Sequence, residues 1–166
     1  RSAGLAPFDP RALAEYQRCL ALPGTAHGLC EDYRAAAGID LDTTITQLTA
    51  SSTNTAINID ESSGLAVNTV NSGTGPTTLN LAAGAITDNN GSGTLNVTAG
   101  LLNVSGPAGI DLDTAISQLT ASSTNAAITM RETSGVAVNT INSGSGTTTL
   151  VLAAGGITDN NGSGTL

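Results

Sequence analysis

Paired carboxylates and Asn-Gly turns are the groups in the greater part of this chain whose spacing suggests chemistry. Asp40 with Asp42, and Asp111 with Asp113, stand two residues apart. On a strand that spacing puts both carboxylates on one face. Carboxylates in pairs can serve glycoside hydrolysis, but that needs a cleft and opposed placement, so neighbours on one strand mark a solvated face. Asp88-Asn89-Asn90-Gly91 and Asp159-Asn160-Asn161-Gly162 offer oxygens of the kind calcium takes. Both lack the EF-hand spacing with its terminal glutamate, and both depart from the GGxGxDxUx pattern of calcium-binding repeats. An Asn-Gly tight turn explains them, because Gly and Asn tolerate positive φ. From these residues we expect no catalytic group, no metal and no cofactor.

The elements that hold these groups are repeated. Gly38–Leu95 recurs as Gly109–Leu166 at a constant offset of 71 positions, with about 45 of 58 paired positions identical. This is a tandem array, and arrays stack supersecondary units along an axis and present a surface. Composition divides at the same place. Phe8, Tyr16, Tyr33, Cys19, Cys30 and His27 all lie in the first 38 positions, and the rest of the chain has none of these types. The sequence therefore predicts a helical segment over 1–38 and 71-residue β-repeats over 39–166, the second copy starting at 109.

Within a repeat the signal is strand-like. Ile57 and Ile59, Leu65 and Val67, Leu79 and Leu81, and Leu95 and Val97 alternate with Ala, Asn or Thr, the period of a strand with one face inward. The stretches DESSG, NSGTGPT and TDNNGSG between them are turn chemistry. A smaller motif recurs as TLNLAAGAI at 78–86 and TLNVTAGLL at 94–102, with LNVSGPAGI at 102–110 as a looser copy. Each reads as a strand, a small-residue corner and another inward apolar residue. An interior of Ala, Val, Ile, Leu and stacked Asn or Thr suits a narrow parallel β-helix better than an aromatic-filled sandwich. At roughly 20–25 residues per coil the repeat makes about three coils and the array five or six. Its open edges predict self-association, or cover by further repeats of its own chain.

The first 38 residues read as two helices. Asp9 caps the first with Pro10 at its first position, and Leu13, Tyr16 and Leu20 share a face before Pro23-Gly24 ends it. Thr25 caps the second, which carries Ala26, Leu29, Cys30, Tyr33 and Ala37 in one stripe. Cys19 and Cys30 fall on different helices, and free thiols and a disulfide are both open to them.

Charge narrows the partners. Residues 1–38 balance four Arg against four acids, whereas the repeats hold nine acids and one base, Arg131. A net charge of -8 with no Lys argues against nucleic acid or anionic lipid, which need a positive footprint. No apolar run approaches the roughly 18 residues of a membrane span, and no signal peptide opens the chain. Beginning at Arg1 and ending in mid-repeat, the sequence reads as a fragment of a longer protein.

Two resemblances add to this reading. The TLNVTAG-type words, the Asn/Thr/Gly-rich turns and the lack of Cys and Lys make 39–166 resemble the β-solenoid passenger regions of filamentous-haemagglutinin-like and autotransporter-type bacterial adhesins. That implies a non-catalytic, exported stalk or adhesin at the cell surface, with a host-surface or cell-envelope ligand. The words FDPRALAEYQRCL and HGLCEDYRAAAGIDLD make residues 5–42 resemble the cap region of the haloacetate (fluoroacetate) dehalogenases, which are α/β-hydrolases. In that family the tyrosine of the CEDYRA stretch helps hold the halide, which implies a substrate-binding role for Tyr33 and a cytoplasmic setting. The family's aspartate nucleophile, its arginines and its histidine base have no counterpart here, and His27 lies inside the cap-like helix. The word AGIDLD at 37–42 returns at 108–113, marking where two unlike pieces are joined.

Overall fold

The computed structural model describes residues 39–41 and 45–162. The two helices expected over 1–38, with Tyr33, His27, Cys19 and Cys30, lie outside the described residues, as does Asp42. Contacts divide the chain into units 1–37 and 38–166, and the second is a parallel β-solenoid of about six turns with no helix among the described residues. Its strands are β1 (Ile39–Leu41), β2 (Ile45–Ser51), β3 (Ile57–Glu61), β4 (Leu65–Asn71), β5 (Pro76–Leu81) and β6 (Ile86–Asp88). The long strands β7 (Val97–Ser105) and β8 (Ile110–Ser122) follow. Four more complete it: β9 (Ile128–Glu132), β10 (Val136–Asn142), β11 (Thr148–Leu152) and β12 (Ile157–Asp159).

Two walls carry the stack, and every pairing in them is parallel. One wall runs β1, β3, β5, the end of β7, the end of β8, β10 and β12. The other runs β2, β4, β6, the start of β8, β9 and β11. Stacking puts like residues in columns. Ile59, Leu79, Val104 and Ala121 lie over one another on the first wall, and Leu65, Ile86, Ile110 and Ile128 on the second, all buried. Beside the first column, Thr77 takes an inward place between Ile57 and Leu102, where its hydroxyl meets the Ser72 hydroxyl at 2.9 Å. The polar residue is tolerated because it is satisfied. Outside, the same strands present Asn58, Thr78, Asn103, Thr120 and Thr140 in register.

Turns need about 20 residues, as in Ile39 beside Ile59 and Ile59 beside Leu79. The repeat takes three and a half of these turns rather than about three. Its 71 residues hold seven strands, β1 to β7, and each turn uses two, so an odd number carries the second copy to the opposite wall. Ile57 of β3 stands on the first wall, whereas its counterpart Ile128 of β9 stands on the second. The extra half turn is β7, built from the segment that follows the DNNGSG turn.

β7 also departs from the expected corner at Thr98-Ala99-Gly100. It runs unbroken from the end of β4, with Val97 beside Val70, to β5, with Leu101 beside Pro76. The strand bends without ending: burial alternates to Ala99, then Gly100 and Leu101 are both half-buried before Leu102 faces inward. Gly100 is required at the bend because a Cβ there would collide with the Thr74 carbonyl oxygen. The turns below and above it share a device. Asn54 and Asn125 adopt positive φ (55° and 57°), and their side-chain oxygens accept the Thr74 and Ser145 N–H groups, each at 2.9 Å. Asn is among the few residues that tolerate this conformation.

Candidate functional site

The richest polar cluster lies where the first copy meets the second. Asp88 ends β6, and its Oδ1 accepts the Asn90 N–H at 2.9 Å, the Gly91 N–H at 3.0 Å and the Asn96 amide at 3.0 Å. Asn96 is fully buried. Its amide nitrogen also donates to the Val67 carbonyl and to Asn90 Oδ1, each at 2.9 Å, and its Oδ1 accepts the Asp113 N–H at 2.7 Å. The DNNG turn is thereby tied to the rung above. This overturns one half of the expected inward pair: Val97 is buried as expected, but Leu95 is 36 % exposed while Asn96 takes a buried position. The reason is hydrogen-bond supply, because Asn96 brings a donor to the Val67 carbonyl, which the Asn89 N–H also reaches, and an acceptor to the Asp113 N–H.

Arg131 closes the cluster from the strand above. Its Nε and Nη2 donate to the two oxygens of Asp113 at 2.9 and 3.0 Å, and its Nη1 lies 2.7 Å from Asp111. Asp88 Oδ2 stands 3.8 Å from Nη2. Burial works to raise the Asp88 pKa, but the bonds from Asn96, Asn90 and Gly91 and the Arg131 charge outweigh it and hold the carboxyl below its ordinary value. The Asp113 hydrogen bond, against the cost of desolvation, keeps Arg131 more firmly protonated than usual, with Asp111 adding to the effect. The one basic side chain of the repeats thus sits among three carboxylates.

This geometry decides between the readings of the acid pairs. Asp111 is exposed and Asp113 is buried, so a shared solvated face holds for the first and fails for the second. Between them β8 turns a corner: Leu112, Asp113 and Thr114 are buried in succession. Asp40 lies in β1 opposite Asp60. Asp88 acts as an acceptor for its own turn, and the Arg131 guanidinium stands 3.8 Å from its other oxygen. Among the described residues no group of three or more His, Cys, Asp or Glu is arranged to hold a metal.

Sequence reasoning missed two buried glutamates. Glu132 is 2 % exposed; its Oε1 accepts the N–H and hydroxyl of Ser134, and its Oε2 accepts the Thr114 hydroxyl and the Ile116 N–H. Glu61, its counterpart 71 residues earlier, accepts the Ser63 N–H and hydroxyl with Oε1, while its buried Oε2 has no partner. One signal was present. The position before each glutamate changes from Asp60 to Arg131 between copies while the glutamate itself is kept.

The outward surface of the first wall carries a shallow groove, lined by Asp60, Asn80, Asn103, Ser105, Thr120 and Ser122. Apart from Asp60 its polar groups are neutral. No helix among the described residues is long and apolar enough to cross a membrane, a statement that does not bear on β-barrels. Comparison with known proteins finds no similar family model, curated protein or solved structure.

Proposed function

We propose that the repeats form a non-catalytic rod in a bacterial surface or secreted protein, serving as a stalk or as the scaffold of an adhesin. The observation that carries this reading is how the chain makes length: one 71-residue unit adds three and a half turns, about 17 Å at the usual strand spacing. Each added copy enlarges the rod and its outward ladders without enclosing a pocket. The polar side chains of the central cluster bond one another and the backbone, which leaves the ladders of Asn, Thr and Ser to meet a ligand. Those ladders are where a host-surface or cell-envelope ligand would meet the rod.

Antibodies raised against the array should label intact source cells or the culture supernatant. Labelling that requires permeabilised cells would remove the surface reading. The same chain should release no fluoride from fluoroacetate. Turnover that disappears in Tyr33→Phe would overturn the non-catalytic reading and restore the dehalogenase-like one.

A further inference from the structure

The Asn90-Gly91 pair brings together the groups of a spontaneous reaction, and the cluster around Asp88 holds every one of them. In such a pair the glycine nitrogen loses its proton and attacks the asparagine side-chain carbonyl carbon, and glycine offers no Cβ to hinder the approach. A carbon–nitrogen bond forms, the side-chain nitrogen leaves as ammonia, and a five-membered succinimide ring results. Water then opens the ring at either carbonyl, giving aspartate or isoaspartate. Here the attacking nitrogen is engaged: the Gly91 N–H donates to Asp88 Oδ1 at 3.0 Å. The leaving nitrogen of Asn90 donates to the carbonyls of Asn68 and Leu95, the second at 3.0 Å. The Asn90 oxygen accepts the Asn96 amide at 2.9 Å. Gly91 itself is exposed, and a side chain there would meet nothing within 4 Å. Steric access therefore leaves the reaction open, and hydrogen bonding closes it.

We propose that Asn90-Gly91 is a latent modification site, a succinimide-forming pair kept closed by the Asp88 carboxylate and opened when the turn loosens from the rung below. Charge is the first part of the lock. The reactive species is an amide anion at the Gly91 nitrogen, and a carboxylate bonded to that nitrogen disfavours a second negative charge beside it. Burial works against the charge of Asp88, but the bonds from Asn96, Asn90 and Gly91 keep its carboxyl ionised, and Arg131 reaches its other oxygen only at 3.8 Å. Anchoring is the second part, because ammonia leaves only when the Asn90 nitrogen gives up Asn68 of β4 and Leu95. One contact works the other way. The Asn96 amide donates to the oxygen on which charge grows during attack, so the block lies in forming the nucleophile. Conversion would be one-way: a carboxylate at position 90 cannot donate to Asn68 and Leu95, and it adds an anion beside Asp88. None of this depends on where the protein is located.

Incubating the full 166-residue chain at mildly alkaline pH, folded and in unfolding urea, tests this. Tryptic cleavage after Arg131 puts Asn90 and Asn161 on different peptides, and electron-transfer fragmentation locates the mass gain and tells isoaspartate from aspartate. Asn90 should convert at least about tenfold more slowly in the folded chain than in urea. Asp88→Asn keeps a side-chain oxygen for the Gly91 N–H and removes the charge, so it should speed conversion at Asn90 in the folded chain by at least about tenfold. Leu102→Ala weakens the first wall away from the turn and should speed it less than Asp88→Asn does. Far-ultraviolet circular dichroism checks that both variants stay folded during incubation, and the comparison of the parent with and without urea stands without either of them. Equal rates in the folded and unfolded parent overturn the proposal. So does a folded Asp88→Asn chain that converts at the parent's rate, or a Leu102→Ala chain that converts as fast as Asp88→Asn, which would trace the reaction to general unfolding.

Discussion

Removing the Arg131 guanidinium should destabilise the array more than any other single change of surface charge. In Arg131→Met the apolar stem is kept and the fork onto Asp113 is lost. The Asp113 side chain is 6 % accessible, so its carboxylate would stay buried with two bonds fewer. Breaking a buried pair from one side costs about 3–5 kcal/mol. Arg131 itself is 26 % accessible, so water compensates in part and roughly 2–3 kcal/mol is the expected loss. For a domain of this size that corresponds to about 6–12 °C in Tm. Arg131→Asp places the first copy's own residue there and should cost more, because it adds a fourth carboxylate. Urea or thermal unfolding followed by far-ultraviolet circular dichroism reads both. Adding Asp113→Asn to Arg131→Met should recover more than half of the loss, since the buried charge is then gone. If Arg131→Asp melts within about 1 °C of the parent, the cluster contributes nothing measurable and the reasoning is refuted.

Three further outcomes follow from the same geometry. The Asp88 pKa is depressed in the folded state from an ordinary 3.8, so its contribution is present above that value and is lost as pH falls through the lower, folded one. Stability at pH 2–3 should therefore drop less, relative to pH 7, in Asp88→Asn than in the parent, and equal slopes in pH-dependent urea midpoints would contradict this. Leu102→Ala empties a fully buried place in the first wall and should cost about 2–5 kcal/mol, measured by the same unfolding curves. Gly100→Ala should cost at least about 2 kcal/mol, since its Cβ meets backbone rather than a movable side chain; a neutral result would show that β7 can shift away from Thr74.

The array was legible in the sequence because its signals are local and repeated. Period-2 apolar residues such as Ile57 and Ile59 or Leu65 and Val67 face inward as expected, and the lack of aromatic side chains in the repeats admits a narrow interior. Turn chemistry placed the Asn-Asn-Gly turns directly after β6 and β12, whose last residues are Asp88 and Asp159. The cluster around Arg131 was not legible. Asp88, Asn96, Asp113 and Arg131 are spread over 44 positions, and their meeting depends on which rung lies above which. Local alternation assigned Leu95 inward, and hydrogen bonding across rungs gave that place to Asn96.

By itself the sequence determined that the greater part of this chain is a stack of parallel coils around a narrow, non-aromatic interior. A periodic pattern and a strand's two faces suffice for that. That the ladders of Asn and Thr such as Asn58, Thr78 and Asn103 face outward came from the structure. Only the tertiary structure decided the count of strands per repeat, and with it the half turn that sends identical words to opposite walls. The physical reason is that β7 and β8 bend without breaking. Whether a strand turns a corner depends on close contacts such as Gly100 against Thr74 and the pairing of Thr114 with Glu132, which join residues far apart in the chain.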